Sequence, residues 1–170
     1  IDAQLGRLTA LVNNAGVVDI SQRVDEMSVQ RLRRMFDINV LGSFLCAREA
    51  VRRMSTRHGG QGGAIVNVSS AASRLGSPGQ YVDYAAAKGA IDVFTMGLAK
   101  EVAAEGIRVN AVRPGLIETE ILVTLPEAAR EALIQITPLG EVGTVEDVAA
   151  AAVYLASDEA RFVTGQNLVV

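Results

Sequence analysis

Read by the spacing of its apolar positions, the chain alternates between two patterns. Short apolar runs without helical period stand at residues 8–13, 64–68 and 107–112, each closed by turn-forming residues, and such runs read as buried strands. The first ends in Asn13-Asn14-Ala15-Gly16, the second follows the glycine-rich residues 59–63 and ends in Ser69-Ser70, and the third stops at Pro114-Gly115. Between them lie longer stretches whose apolar positions recur at threes and fours, as on one face of a helix. One continuous helix is predicted over 29–55, capped by Ser28, with its apolar stripe through Leu32, Met35, Phe36, Leu45 and Val51. Another is predicted over 82–104 with Gly106 as its C-terminal cap. A third spans 145–157, capped by Thr144 and helped by Glu146 and Asp147 in its first turn, before a brief last strand from Asn167.

Strands that alternate with helices of this length imply parallel pairing through crossovers, hence an α/β domain of three layers with helices on both faces of the sheet. Ligands of such sheets bind at the C-terminal ends of the strands. Residues 13–16, Ser69, Ser70 and 113–115 are therefore expected at one end of the molecule. A length of 170 residues makes this a single domain over 1–170. The 16 Lys and Arg residues are scattered and the net charge is −3, so neither nucleic acid nor a membrane surface is an expected partner. No apolar run reaches transmembrane length and no signal peptide opens the chain. With Cys46 the sole cysteine there is no disulfide framework, and a cytoplasmic location is expected. Cys46 is expected as a core thiol, His58 as a loop residue, and neither has partners at metal-ligand spacing.

Chemistry concentrates on a few positions. Tyr84 and Lys88, four apart on a helix, share one face with Ile91, Thr95, Leu98 and Val102. A lysine beside a phenol can stabilise the phenolate and bring it toward acid–base use; equally, the two can be a packed ring and a snorkelling lysine. Ser70, after a strand end, can donate to a substrate oxygen or cap a turn. Asn39 sits within a predicted helix, where a buried amide must find partners, structural or functional. Asn14, Ala15 and Gly16 allow close backbone approach, and Pro114, Gly115 and Thr119 can frame a pocket edge or only end a strand.

Taken in order, Leu11-Val12-Asn13-Asn14-Ala15-Gly16, Asn39, Asn67-Val68-Ser69-Ser70, Tyr84-Ala85-Ala86-Ala87-Lys88 and Arg108-Val109-Asn110-Ala111-Val112-Arg113-Pro114-Gly115 resemble the short-chain dehydrogenase/reductase family along essentially the whole chain. The similarity is closest to its 3-oxoacyl-carrier-protein reductase and glucose-dehydrogenase-like branch. The resemblance implies a Rossmann-type doubly wound parallel sheet and an oxidoreductase moving a hydride between NAD or NADP and an alcohol or carbonyl. It implies Tyr84 as general acid/base, Lys88 lowering the tyrosine pKa and holding the nicotinamide ribose, Ser70 steadying the reacting oxygen and Asn39 anchoring a relay water. Asn14, Ala15, Gly16, Tyr84, Lys88, Pro114, Gly115, Ile117 and Thr119 are the implied cofactor contacts. Residues 116–139 become the substrate lid, with Leu122, Val123, Leu125 and Ile134 as apolar walls and Glu118 and Glu120 for polar contacts. A small-molecule substrate and a homo-oligomer, dimer or tetramer, are implied, paired through small-residue faces at 85–90 and 42–47.

Two departures qualify the resemblance. The family serine usually stands one residue nearer its tyrosine than Ser70 stands to Tyr84, so the loop at 79–83 is expected to be one residue longer. The family's opening strand and glycine-rich pyrophosphate turn are not found, and residues 1–6 read as the tail of the helix before the family's fourth strand. The chain is therefore expected to hold a complete reaction centre without the pyrophosphate cradle, and to be inactive by itself. An alternative reading is a ligand-sensing or interaction module on the same fold.

Overall fold

The computed structural model describes residues 4, 6–119, 122 and 127–170. Four strands, β1 (Ala10–Asn13), β2 (Gly63–Val68), β3 (Ile107–Arg113) and β4 (Asn167–Val169), pair in parallel in the order β1-β2-β3-β4. Crossovers supply the helices: α1 (Val29–Phe36), α2 (Gly42–Met54), the single turn α3 (Ala72–Leu75), α4 (Val82–Val102), α5 (Glu127–Gln135) and α6 (Val145–Ala156). Neighbouring residues of a strand point to opposite faces, and the core divides accordingly. Ile65, Ile107 and Val109 pack with Ala47, Ala50, Met54, Ala99 and Val102 from α2 and α4. Val66 and Val112 turn the other way onto Leu155 of α6. This is the three-layer α/β arrangement expected from the alternating pattern.

The predicted caps are built as drawn. The Ser28 hydroxyl accepts from the Arg31 amide, Thr144 and Asp147 form a reciprocal box, and Gly106 takes a left-handed conformation after α4. The glycine-rich stretch before β2 has a spatial reason: Gly62, at φ +81°, lies so close to the Gly106 carbonyl that a Cβ would collide with it.

The long helix over 29–55 differs from expectation. A single wide, π-type turn over Asp37–Leu41 separates α1 from α2. Buried positions run Arg31, Met35, Asn39, Ser43 and Ala47, all steps of four. Steps of four overshoot a 3.6-residue turn, and the extra residue of the wide turn takes the overshoot back. Beyond the turn the apolar stripe accordingly shifts, leaving Leu45 44% exposed although it was expected inside; Phe36, ahead of the turn and one position past buried Met35, is also 40% exposed against expectation. The same phase change puts Cys46 on the surface, correcting its reading as a core thiol. His58 ends a short 3₁₀ turn and is exposed. The helix tail expected at 1–6 falls mostly outside the described residues, as do Glu120, Val123 and Leu125. Among the described residues no helix is long and apolar enough to cross a membrane, and no metal-binding cluster of His, Cys, Asp and Glu occurs.

Candidate active site

At the C-terminal ends of β1, β2 and β3 lies a cavity of about 430 Å³. Asn14 and Gly16 reach it from the β1 end, Ser69 and Ser70 from β2, Tyr84 and Lys88 from α4, and Pro114, Gly115, Ile117 and Thr119 from beyond β3. Most sequence-predicted site residues thus meet on one concavity; Ala15 and Asn39 do not line it. A larger cleft of about 1020 Å³ opens near the strand starts and contains none of them.

Local structure explains each position. Tyr84 and Lys88 lie on successive turns of α4, with the lysine ammonium 5.6 Å from the phenol ring centre. Lys88 Nζ donates to the Val68 carbonyl at 2.7 Å, anchoring its chain at the end of β2. Of the two serines, Ser69 turns inward and donates to the Lys88 carbonyl at 3.3 Å. Ser70 accepts from the Ala72 amide at 3.2 Å, and its hydroxyl stands on the phenol side of the cavity, where it favours ionisation of Tyr84. Its turn-capping and its phenol-facing roles therefore coexist.

Asn39 acts from beneath. Its Nδ2 donates to the Val17 carbonyl at 2.9 Å and to the Met35 carbonyl at 3.0 Å, while its Oδ1 accepts from the Val17 amide at 3.1 Å. The side-chain amide is fully committed to holding the loop after β1. A Cβ on Gly16 would stand 2.8 Å from Asn39 Oδ1 and 3.4 Å from Lys88 Nζ, so only glycine fits between them without displacement. Below the cavity, Asn13 donates to Asn67 at 2.8 Å, and Asn67 donates to the Thr95 hydroxyl at 2.9 Å. These buried bonds tie β1 and β2 to the buried face of α4.

The electrostatics depart from the expectation that the lysine lowers the tyrosine pKa. Burial pushes the Tyr84 phenol up, and the Ser70 hydroxyl opposes that shift only in part. Lys88 is itself pushed down to about 8 because burial disfavours its charge, with Asp92 acting in the opposite direction. Desolvation outweighs charge stabilisation at both groups. A phenol held protonated at neutral pH is suited to donating a proton.

Two lid expectations change as well. Glu118 pairs with Arg130 of α5 at 3.8 Å, on the surface, instead of offering a free carboxylate. Leu122 is buried and lines the cavity, whereas Ile134 does not. The sequence reading missed Val18, Ser77 and Tyr81 as lining residues; turn position and exposure pattern carried no signal for them.

A second groove of about 640 Å³ shares Asn14, Val68, Pro114, Ile117 and Thr119 with the cavity and continues over Val145, Val148 and Ala152 of α6. A glycine without Cβ beside Lys88, a threonine hydroxyl and an apolar shelf suit the nicotinamide-ribose end of a dinucleotide.

The comparisons agree on a family. The sequence family described as enoyl-(acyl carrier protein) reductase matches residues 1–170, and the chain belongs to it, within the short-chain dehydrogenases/reductases. An uncharacterized oxidoreductase of Escherichia coli, YgfF, is 54% identical over 166 residues, covering 97% of this chain and 67% of the relative. The 3-oxoacyl-[acyl-carrier-protein] reductase FabG of Rickettsia typhi is 39% identical over 168 residues, covering 99% and 68%. Among solved structures, ElxO with NADP bound superposes with a TM-score of 0.89 at 34% identity, covering 99% of this chain and 68% of that one. A 3-oxoacyl-[acyl-carrier protein] reductase from Brucella melitensis gives 0.90 at 36% identity, covering 96% and 61%. The chain thus spans about two thirds of the length of its relatives.

Proposed function

We propose that the full-length protein is an NAD(P)-dependent oxidoreductase interconverting an alcohol and a carbonyl compound in the 430 Å³ cavity. The observation that carries this reading is the convergence of Ser70, Tyr84 and Lys88 on that cavity, with the lysine ammonium 5.6 Å from the phenol ring centre. The cofactor supplies the hydride, or takes it, when bound. Lys88, Asn14, Ala15, Gly16, Pro114, Gly115, Ile117 and Thr119 are the residues that would hold its nicotinamide and ribose.

This chain's own residues do the acid–base work. Tyr84, kept protonated by burial, donates its phenolic proton to the carbonyl oxygen during reduction and removes the hydroxyl proton during oxidation. Ser70 donates to the same oxygen and steadies it as its charge changes. Lys88, fixed by Val68 with its ammonium 5.6 Å from the phenol ring centre, would hold the ribose and thereby set the nicotinamide against Tyr84. Asn39 holds the loop that closes one side and acts by position. Among the described residues, Lys88 is the one charged side chain that lines the cavity, which favours an uncharged substrate body.

A homo-oligomer suits the surface: Leu41, Phe44, Leu45, Val93 and Met96 leave apolar area of α2 and α4 exposed. The face expected at 85–90 contributes less, because Ala85 and Ala87 are buried within the subunit. A cytoplasmic location suits a soluble reductase of this family. The test is oxidation of NADH and NADPH by the full-length protein with a panel of aliphatic ketones, β-ketoesters and aldehydes. Turnover abolished by Tyr84→Phe is expected; tight nucleotide binding without turnover of any panel member would overturn the enzyme reading.

A further inference from the structure

Arg31 and Asp83 do not line the cavity and no step above uses them, yet they form one of two enclosed ion pairs among the described residues. Arg31 Nε meets Asp83 Oδ2 at 2.8 Å and Nη2 meets Oδ1 at 3.2 Å, a two-pronged pair whose side chains are 7% and 0% exposed. The guanidinium has a third engagement. Its Nη1 donates to the Ile20 carbonyl at 2.7 Å and to Gln22 Oε1 at 3.2 Å. On the other side, Asp83 is the acidic residue in the first turn of α4, where the backbone N–H groups at the helix start favour its charge. Tyr81, at the N-cap of that helix, provides no side-chain cap. Asp83 therefore completes the start of the helix that carries Tyr84.

The pair thus binds three segments to one another: the loop at 17–23, α1 and the first turn of α4. A backbone bond from the Gln22 amide to the Gln80 carbonyl, 2.9 Å, runs alongside. Val17 and Val18 line the cavity from the loop, and Tyr81 and Tyr84 line it from α4. Asn39 fixes the loop only at Val17. What holds the remainder of the loop to the catalytic helix is Arg31. Burial alone raises the Asp83 pKa, and the guanidinium together with the backbone amides of the first turn more than reverses that, so the pair stays ionised. An apolar pair of similar volume fills a core as well or better. The feature an apolar pair lacks is a directional grip on the Ile20 carbonyl.

The geometry points to Arg31 and Asp83 as positioning residues that lock the 17–23 loop onto the first turn of the catalytic helix and so set the substrate end of the cavity. Its kinetic consequence rests on the oxidoreductase reading above; its structural consequence does not. The test uses full-length protein carrying Arg31→Met, Asp83→Asn and both together, with the most rapidly reduced ketone of the panel as probe. Each single variant loses thermal stability because one buried charge is left alone, and the double variant regains most of it. If the pair positions the loop, the double variant keeps a KM for the ketone raised about tenfold while its Kd for NADPH stays within about twofold of the parent. Its Gln22 amide also exchanges with solvent about tenfold faster. A double variant with regained stability and either an unchanged KM or an unchanged Gln22 exchange rate overturns the assignment. Should the double variant not fold, Arg31→Lys serves: it keeps charge but not the two-pronged grip, and an unchanged Gln22 exchange rate overturns the assignment again. If the parent turns over no panel member, the enzyme reading alone fails, and amide exchange still decides the clamp.

Discussion

The two halves of α4 face the same sheet, and both bury small and apolar side chains, but buried charge is confined to the first. In the first half Asp83, Lys88 and Asp92 are at most 7% exposed. In the second half the buried positions are Thr95, Ala99 and Val102. The second half lies over the strand interiors, packed with Ile65, Ile107 and Val109, where every backbone group is already committed to the ladder. The first half lies beside the strand ends, where a carbonyl such as that of Val68 is free to accept Lys88. There Asp92 also meets Arg113 at 2.8 Å. Buried charge is tolerated where partners exist. One helix can therefore be a packing element at one end and line the candidate active site at the other.

Substitutions along α4 and its partners sharpen that contrast, the largest effect first. Tyr84→Phe in the full-length enzyme should lower kcat by about 10³-fold, as expected for loss of a general acid, with the melting temperature and NADPH affinity nearly unchanged. Arg31→Met should cost about 3 kcal/mol of stability by stranding the Asp83 carboxylate, read by denaturant titration. Because the Asp83 pKa is lowered in the folded state, the parent's stabilisation from this group is present above the ordinary carboxylate range. It is lost as pH falls through the lowered value, so melts of the parent should decline in acid more steeply than those of Arg31→Met with Asp83→Asn.

Lys88→Met should go the other way. With Lys88 at about 8 in the fold against 10.5 free, its charging penalty is fully present below pH 8 and is relieved as pH rises toward 10.5. Near neutral pH the variant should be about 2 kcal/mol more stable while losing turnover, and the gain should shrink between those two values. A variant less stable than the parent at pH 7 would contradict this balance. In the packing half, Val102→Ala should cost about 1.5 kcal/mol and leave KM and kcat untouched. Ser70→Ala should have the smallest effect, about tenfold in kcat/KM. By removing the hydroxyl that favours the phenolate, it should also move the rising limb of the oxidation pH profile to higher pH.

Much of this was legible from residue order. The strand–helix alternation, the caps at Ser28, Thr144 and Gly106, and the four-residue spacing of Tyr84 and Lys88 are local properties, and the fold keeps them. Local reading failed where phase or partner lay elsewhere. The wide turn at Asp37–Leu41 rotated the apolar stripe that follows it and exposed Leu45 and Cys46. The sign of the Tyr84 shift followed burial, which a Tyr-x-x-x-Lys spacing does not report. Arg31 and Asp83 had the look of an ordinary helix arginine and an ordinary first-turn acid, because nothing in sequence joins positions so far apart.

The sequence by itself determined which residue types stand at which strand ends, and with them the proposed reaction centre of Ser70, Tyr84 and Lys88, because strand period, helix period and capping are short-range. Only the tertiary structure decided what those groups feel and what holds them. Desolvation, the commitment of Asn39 to Val17 and the grip of Arg31 on the 17–23 loop arise from contacts between distant segments, and such contacts exist only once the layers have closed.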